Sequence, residues 1–262
     1  MDLGLTDRPC IVTGASRGIG LATARMLSHE GARVLMIGRN ERTLTEAAAS
    51  CPRAETLAAD VTDADASERA LAACEERLGR PWALVNAAGG SRARPLEELS
   101  DADWQQQWEL HVMAPMRLMR AVAPRMAEAG AGRVVNVSSS SGKRPSLTLD
   151  ASYSVTKAAE LSLSRVFADA YAARGVLVNA VTPGPVTSPA WTGEGGLADE
   201  LAERQDSSRD EVLEATHARA PIGRMGTEDE IAAVICFLCS ERASNVAGAA
   251  WAVDGGTVQT IV

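Results

Sequence analysis

Two lysines, two tyrosines and three histidines are all that 262 residues hold of those side chains, so each one stands out. Basic groups are outnumbered 26 to 34, which leaves a formal charge of −8 and a surface unsuited to neutralising a phosphate backbone; nucleic acid is not an expected partner. No apolar run approaches the ~18 residues of a bilayer span, and the opening MDLGLTDRPC has neither the basic nor the apolar region of a leader. A soluble, cytoplasmic protein without a membrane partner is expected. The five cysteines (Cys10, Cys51, Cys74, Cys236 and Cys239) are odd in number and too scattered for a disulfide framework, so reduced thiols are expected. Cys236 and Cys239 have CxxC spacing, but they sit in the apolar helical pattern IAAVICFLCSE with no second pair, which reads as buried packing. His29, His111 and His217 are too far apart for a local ligand pair, and no metal site is expected.

What is present is a regular rhythm. Apolar runs (CIVTG, RVLMIG, AETLAAD, WALVNAAG, GRVVNVSS, VLVNAVTPG, AAWAVDGG) alternate with segments of helical spacing at 18–30, 41–50, 64–78, 101–129, 151–173 and 227–240. The alternation predicts a parallel sheet with crossover helices, its strands apolar because both faces are covered. No repeat or linker interrupts it, so one domain over 1–262 is expected. The rhythm breaks only at residues 185–224, rich in Gly, Pro and charge, with weak helical patches and no strand. A long irregular insertion of this kind predicts a mobile lid over a site, at about 187–220.

The first apolar run leads into Thr13-Gly14-Ala15-Ser16-Arg17-Gly18-Ile19-Gly20, which opens the first helix. Glycines there permit a tight turn and close backbone approach, while free N–H groups at the helix start favour a pyrophosphate. The spacing is GxxxGxG rather than GxGxxG. Further along, Asn86-Ala87-Ala88-Gly89 ends the fourth run, Tyr153 and Lys157 have YxxxK spacing, residues 179–184 read NAVTPG, and Asp254-Gly255-Gly256 follows the last run. In order and spacing over essentially the whole chain this resembles the short-chain dehydrogenase/reductase family, in its single-domain branch. The resemblance implies a doubly wound α/β fold of the Rossmann type, with a parallel seven-stranded sheet and helices on both faces. It also implies a nicotinamide dinucleotide as cofactor and a small-molecule alcohol or carbonyl compound as substrate.

An acid at the end of the second strand binds ribose hydroxyls, whereas a basic group suits a 2′-phosphate. Here Val34 to Ile37 is followed by Gly38, Arg39 and Asn40, with no acid at the diagnostic position. Arg39, with Arg17 in the glycine turn, points to NADP(H) rather than NAD(H). By the resemblance, Asp60 and Val61 flank the adenine, and Asn86, Ala87, Ala88 and Gly89 line the adenosine and its ribose. Asp60 could equally be a turn or cap residue. Pro183 and Gly184 are implied beneath the nicotinamide, with Val186 and Ser188, or Thr187 instead, at the carboxamide.

Tyr153 and Lys157 lie at i and i+4 of a helical segment, hence on one face. A phenol, whose ordinary pKa is about 10, works as acid or base near neutrality only where a neighbouring cation stabilises the phenolate, and Lys157 supplies that cation. The resemblance makes Tyr153 the general acid or base and gives Lys157 the nicotinamide ribose as well. A serine must polarise the carbonyl: anchoring on Asn136 and Gly142 picks Ser139, while counting back from Tyr153 picks Ser140, and Ser139 is the expected one because strand-end geometry is stiffer than loop length. His111 stands where the family ordinarily has an Asn that holds a water relay; an imidazole can also pass hydrogen bonds, and it titrates near neutrality. Substrate-facing segments are expected at 90–96, 142–150 and the lid, bringing Ser91, Arg92, Arg94, Lys143, Arg144, Leu147, Leu149, Trp191 and Leu197. That mixture fits an acyl thioester, since the chain resembles 3-oxoacyl-carrier-protein reductases, or an ordinary ketone, sugar or sterol. A homotetramer is the expected assembly. An NAD-dependent alcohol dehydrogenase and a non-catalytic dinucleotide sensor are the competing readings.

Overall fold

In the computed structural model, which describes residues 1–146 and 149–259, the chain begins β1 (Pro9–Thr13), α1 (Gly18–His29), β2 (Arg33–Gly38), α2 (Glu41–Ala48), β3 (Ala54–Ala58), α3 (Ala66–Arg77) and β4 (Ala83–Asn86). It continues through α4 (Asp101–Trp108), α5 (Ala114–Glu128), β5 (Gly132–Val137), a short α6 (Ser140–Lys143), α7 (Ala151–Tyr171) and β6 (Val176–Pro183). Beyond them come β7 (Val186–Thr187), α8 (Pro189–Thr192), α9 (Leu197–Gln205), α10 (Arg209–Arg219), β8 (Gly226–Thr227), α11 (Glu228–Cys239) and β9 (Ala250–Val253). Seven strands form one sheet in the order β3-β2-β1-β4-β5-β6-β9, and every neighbouring pair is parallel. The direction of winding reverses between β1 and β4, and a ligand crevice is expected there, at the carboxyl ends of the strands.

Side-chain alternation divides the core into two layers. Val12, Met36, Val85 and Val135 face one side, against Leu27 of α1 and Ile231 and Ile235 of α11. Ile11, Leu35, Leu84 and Val134 face the other, against Cys74 of α3, Leu118 and Val122 of α5 and Ala168 of α7. The central strands β1, β4 and β5 are buried throughout, as two covered faces require. At one edge, β3 is only partly covered, which the sequence AETLA reflects in its polar Glu55 and Thr56. All five cysteines are buried free thiols; burial pushes Cys74 and Cys239 up to about 12, so they pack rather than react.

Two expectations need correction. The helix expected over 101–129 is interrupted at Glu109–Met113 by a π-turn, whose wider spacing carries His111 and Val112 into the interior. The stretch 185–224, expected to hold no strand, contributes β7, which pairs in parallel with β8 at Val186↔Gly226 and Thr187↔Thr227. Between them α9 and α10 bury Leu197, Leu201 and Val212 against Ala93 in a small cluster of their own, separate from the sheet's two layers. Leu147, expected to face substrate, lies outside the described residues. Among the described residues no helix is long and apolar enough to cross a membrane.

Candidate active site

A cleft of about 1400 Å3 runs along the carboxyl ends of the strands, from the glycine turn to the segment after β6. At its first end the backbone dictates the shape. Gly14 has φ of 64°, and a Cβ there would lie 2.8 Å from Ala87 O, so the turn can sit against the end of β4 only as glycine. Thr13 Oγ1 joins the same two strands: it accepts from Ala87 N at 3.0 Å and Ala88 N at 3.1 Å. No side chain caps α1 and its first turn holds no acid, so the N–H groups that open that helix, at Gly18, Ile19 and Gly20, lie at the cleft without an intrahelical acceptor. That donor set, with Ser16 and Arg17 beside it, fits a pyrophosphate.

Beyond the turn, Arg39 follows β2 and lines the cleft. Asn40 is engaged as the N-cap of α2, its side chain accepting from Thr43 N, so Arg39 is the polar group that β2 presents to the crevice. Asp60 combines both roles weighed for it. Its Oδ1 accepts from Thr62 N and Thr62 Oγ1, closing a turn, and the residue also lines the cleft next to Val61.

At the other end, α7 presents Tyr153 and Lys157. Asp150 fixes the start of this helix: its buried carboxylate accepts from Tyr153 N at 2.7 Å and from Ser152 Oγ at 2.8 Å. Lys157 Nζ donates to Val137 O and to Glu160 Oε2, each at 2.8 Å, and lies 5.9 Å from the centre of the Tyr153 ring. Both members of the Lys157–Glu160 pair are buried, with side chains 4% and 3% exposed. Burial pushes the Glu160 carboxyl up to about 6, against the opposing pull of Lys157. Ser139, two residues past β5, is the N-cap of α6, accepting from Ser141 N at 3.1 Å; Ser140 lines the same wall. Gly142 lets this serine turn rest on α7, because a Cβ there would meet the Lys157 carbonyl at 2.8 Å.

Of the residues expected from the sequence, Gly14, Ser16, Arg17, Gly18, Ile19, Gly20, Arg39, Asp60, Val61, Ala87, Ala88, Gly89, Ser139, Tyr153, Lys157, Pro183, Gly184, Val186 and Ser188 all line the one cleft. Two do not open onto it. Asn86 is turned inward, where its Nδ2 donates to Asn136 Oδ1 at 2.8 Å and ties β4 to β5. His111 lies behind the wall, 1% exposed and edge-on to the Tyr153 ring at 5.3 Å. Its Nε2 accepts from Gly90 N at 3.3 Å, so the ring proton sits on Nδ1, directed at Thr156 Oγ1 3.0 Å away. Burial, and then the charge of Lys157, hold the imidazole well below its ordinary value of 6.5, so the expected titration near neutrality is moved into acid.

The substrate wall also differs from expectation in its charges. Arg94 pairs with Asp103 at 2.7 Å, and Lys143 donates to Ala250 O at 2.8 Å; neither lines the cleft. Arg92, Arg144, Leu149, Trp191 and Leu197 do, and so do the carboxylates Glu194 and Glu200, which the sequence reading passed over. Glu200 also accepts from Ala93 N at 2.8 Å, joining α9 to the loop after β4. Glu160 and Asp150 were missed as well. The signal for Glu160 was its place three residues after Lys157 on a helix, within reach of the ammonium.

Residues 14–258 match the model of a family described as enoyl-(acyl carrier protein) reductase. The chain is 39% identical over 250 residues to galactitol 2-dehydrogenase (L-tagatose-forming) of Cereibacter sphaeroides, covering 94% of this chain and 92% of that one. It is 35% identical over 250 residues to the short-chain reductase NovJ of Streptomyces niveus, with the same coverage. Among solved structures, the L-sorbose reductase of Gluconobacter frateurii, complexed with NADPH and L-sorbose, superimposes with a TM-score of 0.92 at 33% identity, covering 100% of both chains. With matches that span nearly the whole chain in both sequence and fold, the chain belongs to the short-chain dehydrogenase/reductase family, the NAD(P)-dependent oxidoreductases of alcohol and carbonyl groups.

Proposed function

We propose that this protein is an NADP(H)-dependent oxidoreductase that interconverts a small polar ketone and its secondary alcohol. The observation that carries the reading is the convergence of Ser139, Tyr153 and Lys157 on the cleft that starts at the glycine turn. NADP(H) supplies or accepts the hydride when bound. Arg17 and Arg39, with no acid after β2, favour its 2′-phosphate over the free hydroxyl of NAD(H). Pro183, Gly184, Val186 and Ser188 line one end of the cleft and would hold the nicotinamide, and Ala87 to Gly89 would line the ribose. Ser139 holds the substrate oxygen by a hydrogen bond, Tyr153 gives that oxygen a proton in reduction or takes one in oxidation, and Lys157 stabilises the phenolate. Ser139 is preferred to Ser140 because it lies nearer the end of β5, buried and held by the Ser141 N–H.

Arg92, Arg144 and Arg219 line this part of the cleft together with Glu109, Glu194 and Glu200, and Trp191 and Leu149 add apolar surface. A wall balanced in charge suits a neutral hydroxylated substrate better than an anionic tail. Ketose–polyol pairs, the chemistry for which the galactitol and sorbose relatives are named, are therefore the first class to test, with 3-oxoacyl thioesters as the second reading. Helices α8 to α10 act as the lid, latched by Glu200 to the loop after β4. A homotetramer belongs to the same reading, favoured by Val155 and Val166, which stand 48% and 60% exposed on α7, and light scattering checks it. The test of function is loss of reduced-nicotinamide absorbance with NADPH and NADH in parallel, against ketoses, simple ketones and acetoacetyl thioesters. Turnover that prefers NADPH is expected. Preference for NADH supports the NAD-dependent dehydrogenase, and cofactor binding with no turnover on any member supports a sensor.

A further inference from the structure

Lys157 is the only lysine in the molecule besides Lys143, and it is buried against a carboxylate that the mechanism above does not use. Glu160 is one helical step from Lys157, so α7 carries the proton-transferring phenol, its cation and that cation's counter-charge in a row. The surroundings of Glu160 are otherwise almost without charge. β1 and β4 bring Thr13 and Asn86 to the same small cavity, and α5 brings Ala114, Pro115 and Leu118. The π-turn adds Leu110, and among the described residues lining the cavity no group other than Glu160 titrates. The cavity measures about 10 Å3, the space one water needs, and Asn86 Oδ1 is a buried acceptor with no partner.

His111 is committed to Gly90 and Thr156 and makes no hydrogen bond to Lys157, so position 111 does not moderate the lysine's charge in this chain. The geometry points to Glu160 as a positioning residue: its buried carboxylate fixes Lys157 Nζ and offsets the positive charge that Tyr153 experiences, thereby setting the pH at which the phenol gives up its proton. This deepens the proposed oxidoreductase reading and rests on it for the role of Tyr153. In water two charges a few ångströms apart interact weakly, but inside the protein a counter-charge at this range moves a neighbouring ionisation by about one pH unit.

Because the chain has only two tyrosines, the effect can be read without any substrate. In a Tyr171→Phe background, the near-ultraviolet tyrosinate band reports Tyr153 alone. Glu160→Gln, which removes the charge and keeps the shape, is expected to move the midpoint of that band about one pH unit lower, and to move the corresponding limb of the pH profile of kcat/KM the same way. Glu160→Met and Glu160→Ala remove the same charge with different packing, and whichever variant keeps the parent's circular dichroism spectrum carries the test. A midpoint that stays put or moves higher in folded variants overturns the inference and leaves Glu160 a structural residue. The oxidoreductase reading fails separately, on a parent protein that binds NADPH and turns over no substrate, and the role of Tyr153 fails on a Tyr153→Phe variant that still oxidises NADPH in the presence of substrate.

Discussion

The two ends of the cleft hold their cations in opposite ways. Arg17 and Arg39 are exposed at the glycine-turn end, whereas Lys157 is 3% exposed and tied to Val137 O and Glu160. Exposed guanidinium groups attract phosphate through a high dielectric, with modest energy that salt screens. A buried ammonium acts through protein, where its field on a neighbouring phenol is strong and where it cannot be left unpaired. The exposed end can therefore change its choice of ligand without disturbing the fold. The buried end couples chemistry to packing, so most substitutions there alter both.

The largest effects are expected at the buried end. Lys157→Met should lower kcat by about a thousandfold, the scale of a lost general acid–base function, with the fold checked by circular dichroism. At the exposed end, Arg39→Asp should weaken NADPH about tenfold or more and strengthen NADH, with Tm unchanged. The contrast sharpens with salt: NADPH affinity of the parent should fall as ionic strength rises, and that slope should shrink in Arg39→Asp. Equal preference for the two cofactors before and after the substitution would remove Arg39 from the phosphate site.

Much of this was legible in the sequence, for a physical reason. The glycine turn, the YxxxK pair, the serine run and the apolar strands are local patterns, each set by spacing along one element. What escaped depended on distant partners. Lys143 finds a carbonyl 107 residues away, and Arg94 finds Asp103 on a different element, so two cations expected on the substrate wall are taken out of it. Asn86 matched its motif, yet Asn136 on the next strand draws its amide inward. The π-turn was equally hidden, because residues 101–129 carry a helical pattern without a break, and only the extra residue in the turn swings His111 behind the wall.

Smaller effects separate positioning from chemistry. Asp150→Ala removes the cap of α7 and should cost about 1 kcal/mol of stability, read in urea, together with some kcat through the looser seat of Tyr153. His111→Asn should change kcat only slightly at pH 7, since the ring is already neutral there. Its signature lies in acid. A histidine whose folded value lies below 6.5 contributes stability above that pH and loses it as pH falls, because the unfolded chain binds the proton more readily. The parent should therefore lose stability below pH 6.5 more steeply than His111→Asn, and parallel curves would mean that the imidazole is solvated.

The most direct test of the central claim compares the parent with Tyr153→Phe, on any substrate the parent reduces, by following NADPH absorbance while measuring NADPH binding by fluorescence. The account predicts that turnover falls by about a thousandfold while cofactor affinity stays within a few-fold of the parent. Retained turnover in the variant would contradict it and would place the proton-transferring group elsewhere in the cleft.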